Sequence, residues 1–316
     1  MLRFPSHLQK KVLFKLLLSI KPNTQTIYGA GLLRFNQFCD HNTIPEGKRM
    51  PASYILLSGF IVNASGSCSG KTIWNWLNGL HLWHILNNAE WHGQHEWISS
   101  LKHTADIEGI IFNRPLCNPI TPDHLCALHS KLNLNLPHDA AFWAIAVIAF
   151  WVCHHLGELT MKSSRVFNPS QNVSQATSIS HSIVNRCWVI SFHLPWTKTM
   201  GNNGGNCIIT ETEDDLCPVW ALNNHLVINA LPDHIAANLT ALFAYQLNNN
   251  SFYPTKKKDF ISFTSAIYTF KGLNKTSGHS YHIGGTLKLL LDGVPPEMVM
   301  KVGGWSSLCF LIYWQH

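Results

Sequence analysis

The sequence predicts a mainly α-helical protein of two domains, the second of which carries a small β-hairpin. A chain of 316 residues with 46% hydrophobic and 13% charged residues can bury substantial cores, and its length favours two domains over one. Apolar residues recur at helical spacing through most of the chain. Only between Arg186 and Thr210 does the pattern change to runs of β-branched and aromatic residues.

The first domain is predicted over residues 1–112 as a group of helices. Its opening segment, MLRFPSHLQKKVLFKLLLSI, indicates an amphipathic helix, because lysines interrupt the apolar run and no cleavage site of a signal peptide follows. Ser69 or Thr72 is expected to cap a later helix. Three further helices are predicted in the ranges Thr24–Asp40, Ala52–Asn63 and Thr72–Asn87.

Residues 113–122, NRPLCNPITP, are the predicted linker, since they hold three prolines and no helical period. The second domain then covers residues 123–316. Thr121 and Pro122 fit the N-cap and first position of its first helix. The apolar run Ala140–Cys153 has 14 residues, fewer than the roughly 20 of a membrane span, and predicts a buried core helix.

The β-hairpin and three later helices complete the predicted second domain. Its strands are Cys187–Leu194 and Cys207–Ile209, joined by a Gly- and Asn-rich tip. The later helices are expected to open at Asp214-Asp215 and to cover Ser277–Leu291 and Pro295–Val302.

Charge and composition leave the function open. A net charge of +6 and a pI near 8.8 permit a polyanionic partner, but this modest excess is shared by many enzymes. The basic residues include only six arginines, beside 19 histidines. The nine cysteines are odd in number and form no CxxC pair, which predicts reduced, mostly buried, intracellular thiols.

Three motifs resemble the tyrosine recombinases, the phage-integrase superfamily, and especially the recombinases of Crypton-type mobile elements of fungi. They are HHLGELT at His154–Thr160, LPWTKTMG at Leu194–Gly201 and the 37-residue block Gly278–Trp314. Two N-terminal segments, TIYGAGLLRFNQFCD and TIWNWLNGLHLWH, also look similar. The resemblance implies a helical core-binding (SAM-like) domain at 1–112 and a catalytic domain with the DNA breaking-rejoining fold at 123–316.

The resemblance also implies a chemistry, in which a tyrosine cleaves and rejoins DNA without a metal through a 3′-phosphotyrosine. Tyr313 matches the nucleophile, and Lys198, on the hairpin, matches the general acid. His279 opens the family's H-x-x-R motif. Trp305 matches a position, His or Trp in the family, that donates a hydrogen bond to the phosphate. Taken alone, Tyr313 would be interpreted as a core aromatic residue.

Both arginine positions of the family pattern are histidine here, at His155 and His282. With an ordinary pKa near 6.5, a histidine is about one quarter charged at pH 7, and it cannot form the bidentate fork of an arginine. Losing one such stabiliser commonly costs on the order of 10²–10³ in rate. We therefore expect impaired activity in a protein of mobile-element origin. The alternatives are a catalytically dead DNA-binding remnant and a domesticated interaction protein.

The expected partner is double-stranded DNA, with backbone contacts at Lys71, Thr72 and Lys275. If active, the chain is expected to form a tetramer on paired sites. We expect an intracellular, nuclear protein with no membrane association. Because the chain stops three residues after Tyr313, where relatives usually continue, we also expect its terminal helix to be shorter than theirs. The triplet Lys256–Lys258 fits a solvated turn, a DNA contact or a weak nuclear signal equally well.

No cofactor, nucleotide or metal is expected. The segment Gly66–Thr72 resembles a phosphate-binding loop, but its glycines are one residue too close together. The clustered histidines of the first domain lack cysteine partners and an H-E-x-x-H spacing, so we interpret them as packing and surface residues. They are His81, His84, His92, His95 and His103.

Overall fold

Separate hydrophobic cores lie in two units of the chain, Met1–Pro115 and Leu116–His316. The computed structural model describes residues 6–115, 117–162, 167–305 and 307–315. The boundary between the units falls inside the segment 113–122, which the sequence predicts as a linker.

The described residues of the N-terminal unit form helices joined by turns and irregular segments. The core is formed by apolar side chains such as Phe35, Phe60 and Leu80. Gly31 of the second helix lies against the backbone of Trp76 of the fourth, where a larger residue would clash, so these two helices cross at close range. The described residues of this unit form the α-helices α1 (Ser6–Leu18), α2 (Pro22–His41), α3 (Tyr54–Ala64), α4 (Gly70–Leu86) and α5 (Glu96–Glu108).

The segment that resembles a phosphate-binding loop has a packing role. Ser69 is the N-cap of α4, and its hydroxyl lies 2.9 Å from that of Thr72. A Cβ on Gly70 would collide with Asp106 of α5, so the glycine permits a close contact between two helices. α1 forms as predicted, with Phe14 and Leu18 largely exposed.

In its described residues, the C-terminal unit combines helices with two small antiparallel sheets. Its helices are α6 (Pro122–His129), α7 (Pro137–Trp151), α8 (Leu156–Leu159), α9 (Pro218–Ile228), α10 (Lys257–Phe270), α11 (Ser280–Leu291) and α12 (Pro296–Val302). One sheet holds β1 (Ile179–Val184), β2 (Cys187–Leu194) and β3 (Gly205–Thr210), and the other holds β4 (Ala244–Gln246) and β5 (Phe252–Pro254).

Helix α7 is the centre of the larger core, as the apolar run predicts. Every residue from 140 to 150 is buried, and apolar side chains of α6, α9, β2, β3 and α10 join the same cluster. Among the described residues, no helix is long and apolar enough to cross a membrane.

The prediction of a two-stranded hairpin was incomplete, because β1 pairs with β2 and makes a three-stranded sheet. Nearly every residue of β1 is exposed, so no alternation of buried and exposed side chains marks the strand in the sequence. Asn185 and Arg186 connect β1 to β2 with φ angles of 51° and 71°. Two consecutive positive φ values are typical of a tight hairpin turn.

Two further predictions need correction. Helix α9 begins at Pro218 rather than at Asp214, because the Asp214 carboxylate accepts hydrogen bonds from Thr212 and from the N–H of Leu216 and forms a turn before the helix. The cysteines are all free thiols, as expected, but only four of the nine are buried: Cys39, Cys153, Cys207 and Cys217.

Adjacent glycines bring α11 close to the end of α7. A Cβ on Gly285 would collide with the carbonyl of Phe150, and one on Gly284 would collide with the carbonyl of Ile120. The Ile120 segment is also bonded to α11, through its N–H and the carbonyl of Ser280 at 2.9 Å. The glycines therefore set the distance between the two chain segments that carry His155 and His282.

Replacement of Gly285 with alanine tests this packing. We expect Gly285→Ala to lower the free energy of unfolding by more than about 2 kcal/mol, because the methyl group meets backbone atoms that cannot rotate away. Gly157→Ala in α8 is the matched control, since a Cβ there meets nothing within 4 Å. Urea unfolding followed by circular dichroism measures both, and an equal effect of the two changes would contradict the close-packing account.

Candidate functional site

The turn after α7 places the first two histidines of the site. Cys153 adopts a φ of 50°, in the left-handed region that non-glycine residues rarely occupy. This reverses the chain between α7 and α8, and His155 becomes the N-cap residue of α8. His154 is buried, whereas His155 is partly exposed.

The carboxylate of Glu158 joins this turn to the loop that carries Lys198. One oxygen of Glu158 accepts hydrogen bonds from Nδ1 of His154 at 2.9 Å and from the backbone N–H of His155 at 3.3 Å. The other accepts from the backbone N–H of Lys198 at 2.8 Å. Burial alone would raise the pKa of Glu158, but the hydrogen bonds and the neighbouring His154 lower it below its ordinary value. The side chain is therefore an anion that positions two segments.

Two lysines contribute positive charge to the site. Lys198 lies exposed in the β2–β3 connection, beside the paired residues Thr197 and Gly201. Lys257 begins α10, and its side chain packs against Gly278, next to His279. Burial and the nearby charges of Lys162 and Lys198 lower the pKa of Lys257. Glu158 is a site residue that was not predicted. Lys257 was predicted only within the triplet Lys256–Lys258, for which a DNA contact is one of three alternatives.

Helix α11 supplies the other two histidines at its first turn. His279 is the N-cap residue, but its side chain makes no capping bond and faces the site instead. The ring centroids of His155 and His282 are 4.2 Å apart, and that of His279 lies 5.2 Å from His282 and 5.7 Å from His155. Residues from two helix starts thus form one compact group.

Tyr313 lies at the edge of this group. It belongs to the short 3₁₀ segment Leu308–Gln315, and its hydroxyl oxygen lies 3.0 Å from Nε2 of His279. Burial raises the pKa of Tyr313 above its ordinary value. A neutral His279 with an unprotonated Nε2 can accept the hydroxyl proton, so the contact suits a base and the group that it deprotonates.

The ring of Trp305 packs against that of His282. Its ring centroid is 4.5 Å from that of His282 and 4.7 Å from that of Phe310. The φ of 68° at Gly304 turns the chain immediately before the tryptophan, and Gly303 lies against the ring. Packing explains the position of Trp305, and it leaves the ring next to the histidines.

The three histidines are neutral at pH 7. Burial lowers the pKa of His155 to about 4, and the charges of Lys198 and His279 add to this shift. Burial, with the nearby His155, lowers the pKa of His282 to about 3, and burial and the two lysines also lower that of His279. The expectation of a quarter-charged histidine therefore overstates the charge of His155, which burial keeps largely neutral at pH 7.

A backbone carbonyl sets the tautomer of His282. Its Nδ1 hydrogen-bonds the carbonyl oxygen of Cys153, which only accepts, so Nδ1 carries the proton. In the neutral ring Nε2 then has an unshared electron pair.

Six of the nine residues predicted for the site lie together in the C-terminal unit. Lys71 and Thr72 belong to the N-terminal unit, at the start of α4, and Lys71 is exposed. Lys275 is an exposed residue of the loop between α10 and α11, where its carbonyl accepts from the side chain of Asn118 at 3.3 Å. The residues brought together are His155, Lys198, His279, His282, Trp305 and Tyr313.

The N-terminal histidines have packing contacts. His84 is buried and accepts a hydrogen bond from the N–H of Ala52 at 2.9 Å, while His81 stacks on Trp91. Within the described parts of the chain, the group of three potential metal ligands is instead His155, His279 and His282.

The low pKa of His282 predicts acid sensitivity of the fold. The pKa is about 3 in the folded chain and about 6.5 in the unfolded chain, so the unfolded state binds the proton first. The resulting stability is fully present above pH 6.5 and is lost as the pH falls towards 3. In His282→Gln, the decrease in unfolding free energy between pH 7.5 and 5 should be smaller by on the order of 1–2 kcal/mol. Urea titrations at both pH values measure it, and an unchanged decrease would contradict the assignment.

Comparison with known proteins establishes the fold. No protein-family model and no curated protein matches the sequence. Among solved structures, XerH site-specific recombinase bound to a palindromic difH substrate has a TM-score of 0.58 and 15% identity, over 92% of this chain and 75% of that one.

A second solved structure, the Tn1549 transposon integrase in complex with transposon right-end DNA, gives a TM-score of 0.54 and 14% identity over 94% of this chain and 90% of that one. The same integrase in complex with circular intermediate DNA gives a TM-score of 0.54 and 15% identity over 97% of this chain and 94% of that one. The predicted fold class is confirmed, and the chain has the mostly helical fold, with small antiparallel sheets, of the tyrosine recombinases.

Proposed function

We propose that the protein binds double-stranded DNA as a tyrosine recombinase-like protein, and that Tyr313 is the residue that would attack a DNA phosphodiester. The observation that carries this proposal is the contact between the Tyr313 hydroxyl and Nε2 of His279, beside His155, His282 and Trp305. The structural neighbours XerH and the Tn1549 integrase were solved in complexes with DNA, which supports the same class of partner.

The arrangement suggests how the reaction would proceed. His279 accepts the hydroxyl proton of Tyr313 while the tyrosine oxygen attacks the phosphorus of a DNA phosphodiester. This step forms a 3′-phosphotyrosine and releases the 5′ oxygen of the DNA. Lys198 is the candidate donor of the proton that this oxygen needs. Lys198 and Lys257, whose charges lower the pKa of His279, also attract the negative phosphate.

The two neutral histidines favour weak catalysis. The phosphate acquires additional negative charge in the transition state, and protonated arginines would stabilise it through paired hydrogen bonds. His155 and His282 have pKa values of about 4 and 3, so neither supplies positive charge at pH 7. The same observation favours a second candidate function, a DNA-binding remnant without cleavage activity.

Other parts of the proposal rest on the motifs. The N-terminal unit would act as the core-binding clamp, with Lys71 and Thr72 at the DNA backbone, and Lys275 would contact DNA from the C-terminal unit. A mobile-element origin, close to the Crypton-type recombinases, and tetramer formation on paired sites follow from the same resemblance.

DNA binding can be tested through its salt dependence. We expect affinity for duplex DNA to fall steeply with salt, because phosphate contacts release counterions. Lys198→Gln combined with Lys257→Gln should weaken binding and reduce the slope of log K against log salt by about 1–2. Lys288→Ala is the control, since Asp292 already neutralises Lys288 at 2.6 Å. Fluorescence anisotropy measures all three proteins, and absent or salt-insensitive binding would refute the proposal.

Covalent capture on nicked suicide substrates separates the two candidate functions. We expect little adduct from the natural chain, and a yield raised by about 10² or more after His155→Arg together with His282→Arg, because the guanidinium groups restore charge. Adding Tyr313→Phe to that double variant should remove the adduct. Denaturing gels on a pool of nicked duplexes measure it. An adduct that persists with Tyr313→Phe would exclude Tyr313 as the nucleophile, and none from the double variant would favour the remnant.

A further inference from the structure

We propose that His155, His279 and His282 bind a divalent transition-metal ion of the kind that prefers imidazole ligands, such as Zn²⁺. One ring nitrogen from each residue lies within 4.8 Å of the other two. This inference concerns the site's own ligands and does not depend on whether the chain binds or cleaves DNA. It departs from the expectation that no metal is bound, which rests on the metal-free chemistry of the family that the chain resembles and on the spacing of the N-terminal histidines.

The geometry is close to that of a three-histidine metal site. Zinc–nitrogen bonds of about 2.1 Å in a tetrahedral site place the nitrogens about 3.4 Å apart. Nitrogens within 4.8 Å of one another must therefore approach by about 1.4 Å at most. His155 and His279 are only partly buried, so their rings can make this adjustment by rotating.

The protonation state of the site also suits a metal. Histidine binds metals through an unprotonated ring nitrogen, and the hydrogen bonding of His282 leaves one available. His282 donates from Nδ1 to the carbonyl of Cys153, which directs the unprotonated Nε2 away from the backbone. Such a hydrogen bond from the second ring nitrogen is the usual support of a metal-binding histidine.

The surrounding charges determine which further ligand the ion would take. Glu158 is a buried anion whose charge acts on both His155 and His282 and so attracts a cation. Lys198 and Lys257 oppose it. Three protein ligands leave a fourth position open, and the lysines favour an anionic oxygen there, such as hydroxide or a phosphate group. The Tyr313 hydroxyl, 3.0 Å from His279, is a neighbouring oxygen.

A metal here would supply charge where the family pattern has arginine. Two neutral imidazoles leave the position without positive charge, whereas a bound dication provides it and can polarise a phosphate oxygen. The histidines that remove the arginine chemistry are therefore also the ligands that could replace it.

Titration of the metal-free full chain with Zn²⁺ against a chromophoric chelator tests the site. We expect one tight site per chain, and more than about tenfold weaker binding in His155→Ala and in His279→Ala, because even the outer partners of metal ligands are worth about 10–100-fold in affinity. His103→Ala with His181→Ala, two exposed histidines outside the group, should bind as the natural chain does. Equal affinity in all four proteins would overturn the proposal.

Co²⁺ identifies the ligands independently of affinity. We expect visible d–d bands of imidazole coordination without the near-ultraviolet band of thiolate ligands. The absence of the thiolate band would show that the metal ligands are not the exposed cysteines Cys126, Cys187 and Cys309. Circular dichroism confirms that each variant is folded, and His282→Gln, which keeps a polar side chain at a buried position, is a third ligand variant. A thiolate band, or unchanged spectra in the folded histidine variants, would refute the histidine site.

Discussion

The site depends on one buried carboxylate. Glu158 accepts hydrogen bonds from His154, from the backbone of His155 and from the backbone of Lys198, so a single side chain connects the turn after α7 to the β2–β3 loop. A buried anion is costly unless it is paired and hydrogen-bonded, and here both oxygens have partners. Removing the carboxylate would leave several donors without an acceptor, and the Lys198 loop would lose its connection to the histidines.

Burial explains why a histidine at this site differs chemically from an arginine. An arginine stays charged at any accessible pH, whereas an imidazole loses its proton when desolvation exceeds the attraction of nearby anions. Both His155 and His282 lose their proton in this way, because desolvation by burial outweighs the attraction of Glu158. The two histidines therefore place polar ring nitrogens at the site without positive charge.

The sequence predicts much of the fold because the large helices have strong patterns. The buried run of α7 and the periodic faces of α2, α3 and α4 appear where they are expected, with ends shifted by a few residues. Strand β1 was missed because it buries no face. Six site residues could be placed because their spacing follows one family pattern. Lys257 lies outside that pattern, and the pKa values depend on burial that spacing does not encode.

The role of Glu158 also could not be predicted from the sequence, although the residue lies within the motif HHLGELT. One of its hydrogen-bond partners, Lys198, lies 40 residues further along the chain. Only the folded structure brings the Lys198 loop to Glu158. A charged residue between the buried Leu156 and Leu159 is the one signal that could have drawn attention to it.

The close crossing of α7 and α11 bears on how such a site can change over evolution. Gly285 holds the two backbones at contact distance, so the positions of His155 and His282 are determined by main-chain packing and not by their own side chains. The backbone packing can therefore remain intact while the side chains at positions 155 and 282 change. A chain that loses one catalytic chemistry can keep its fold, and the same backbone positions can then carry side chains suited to a different chemistry.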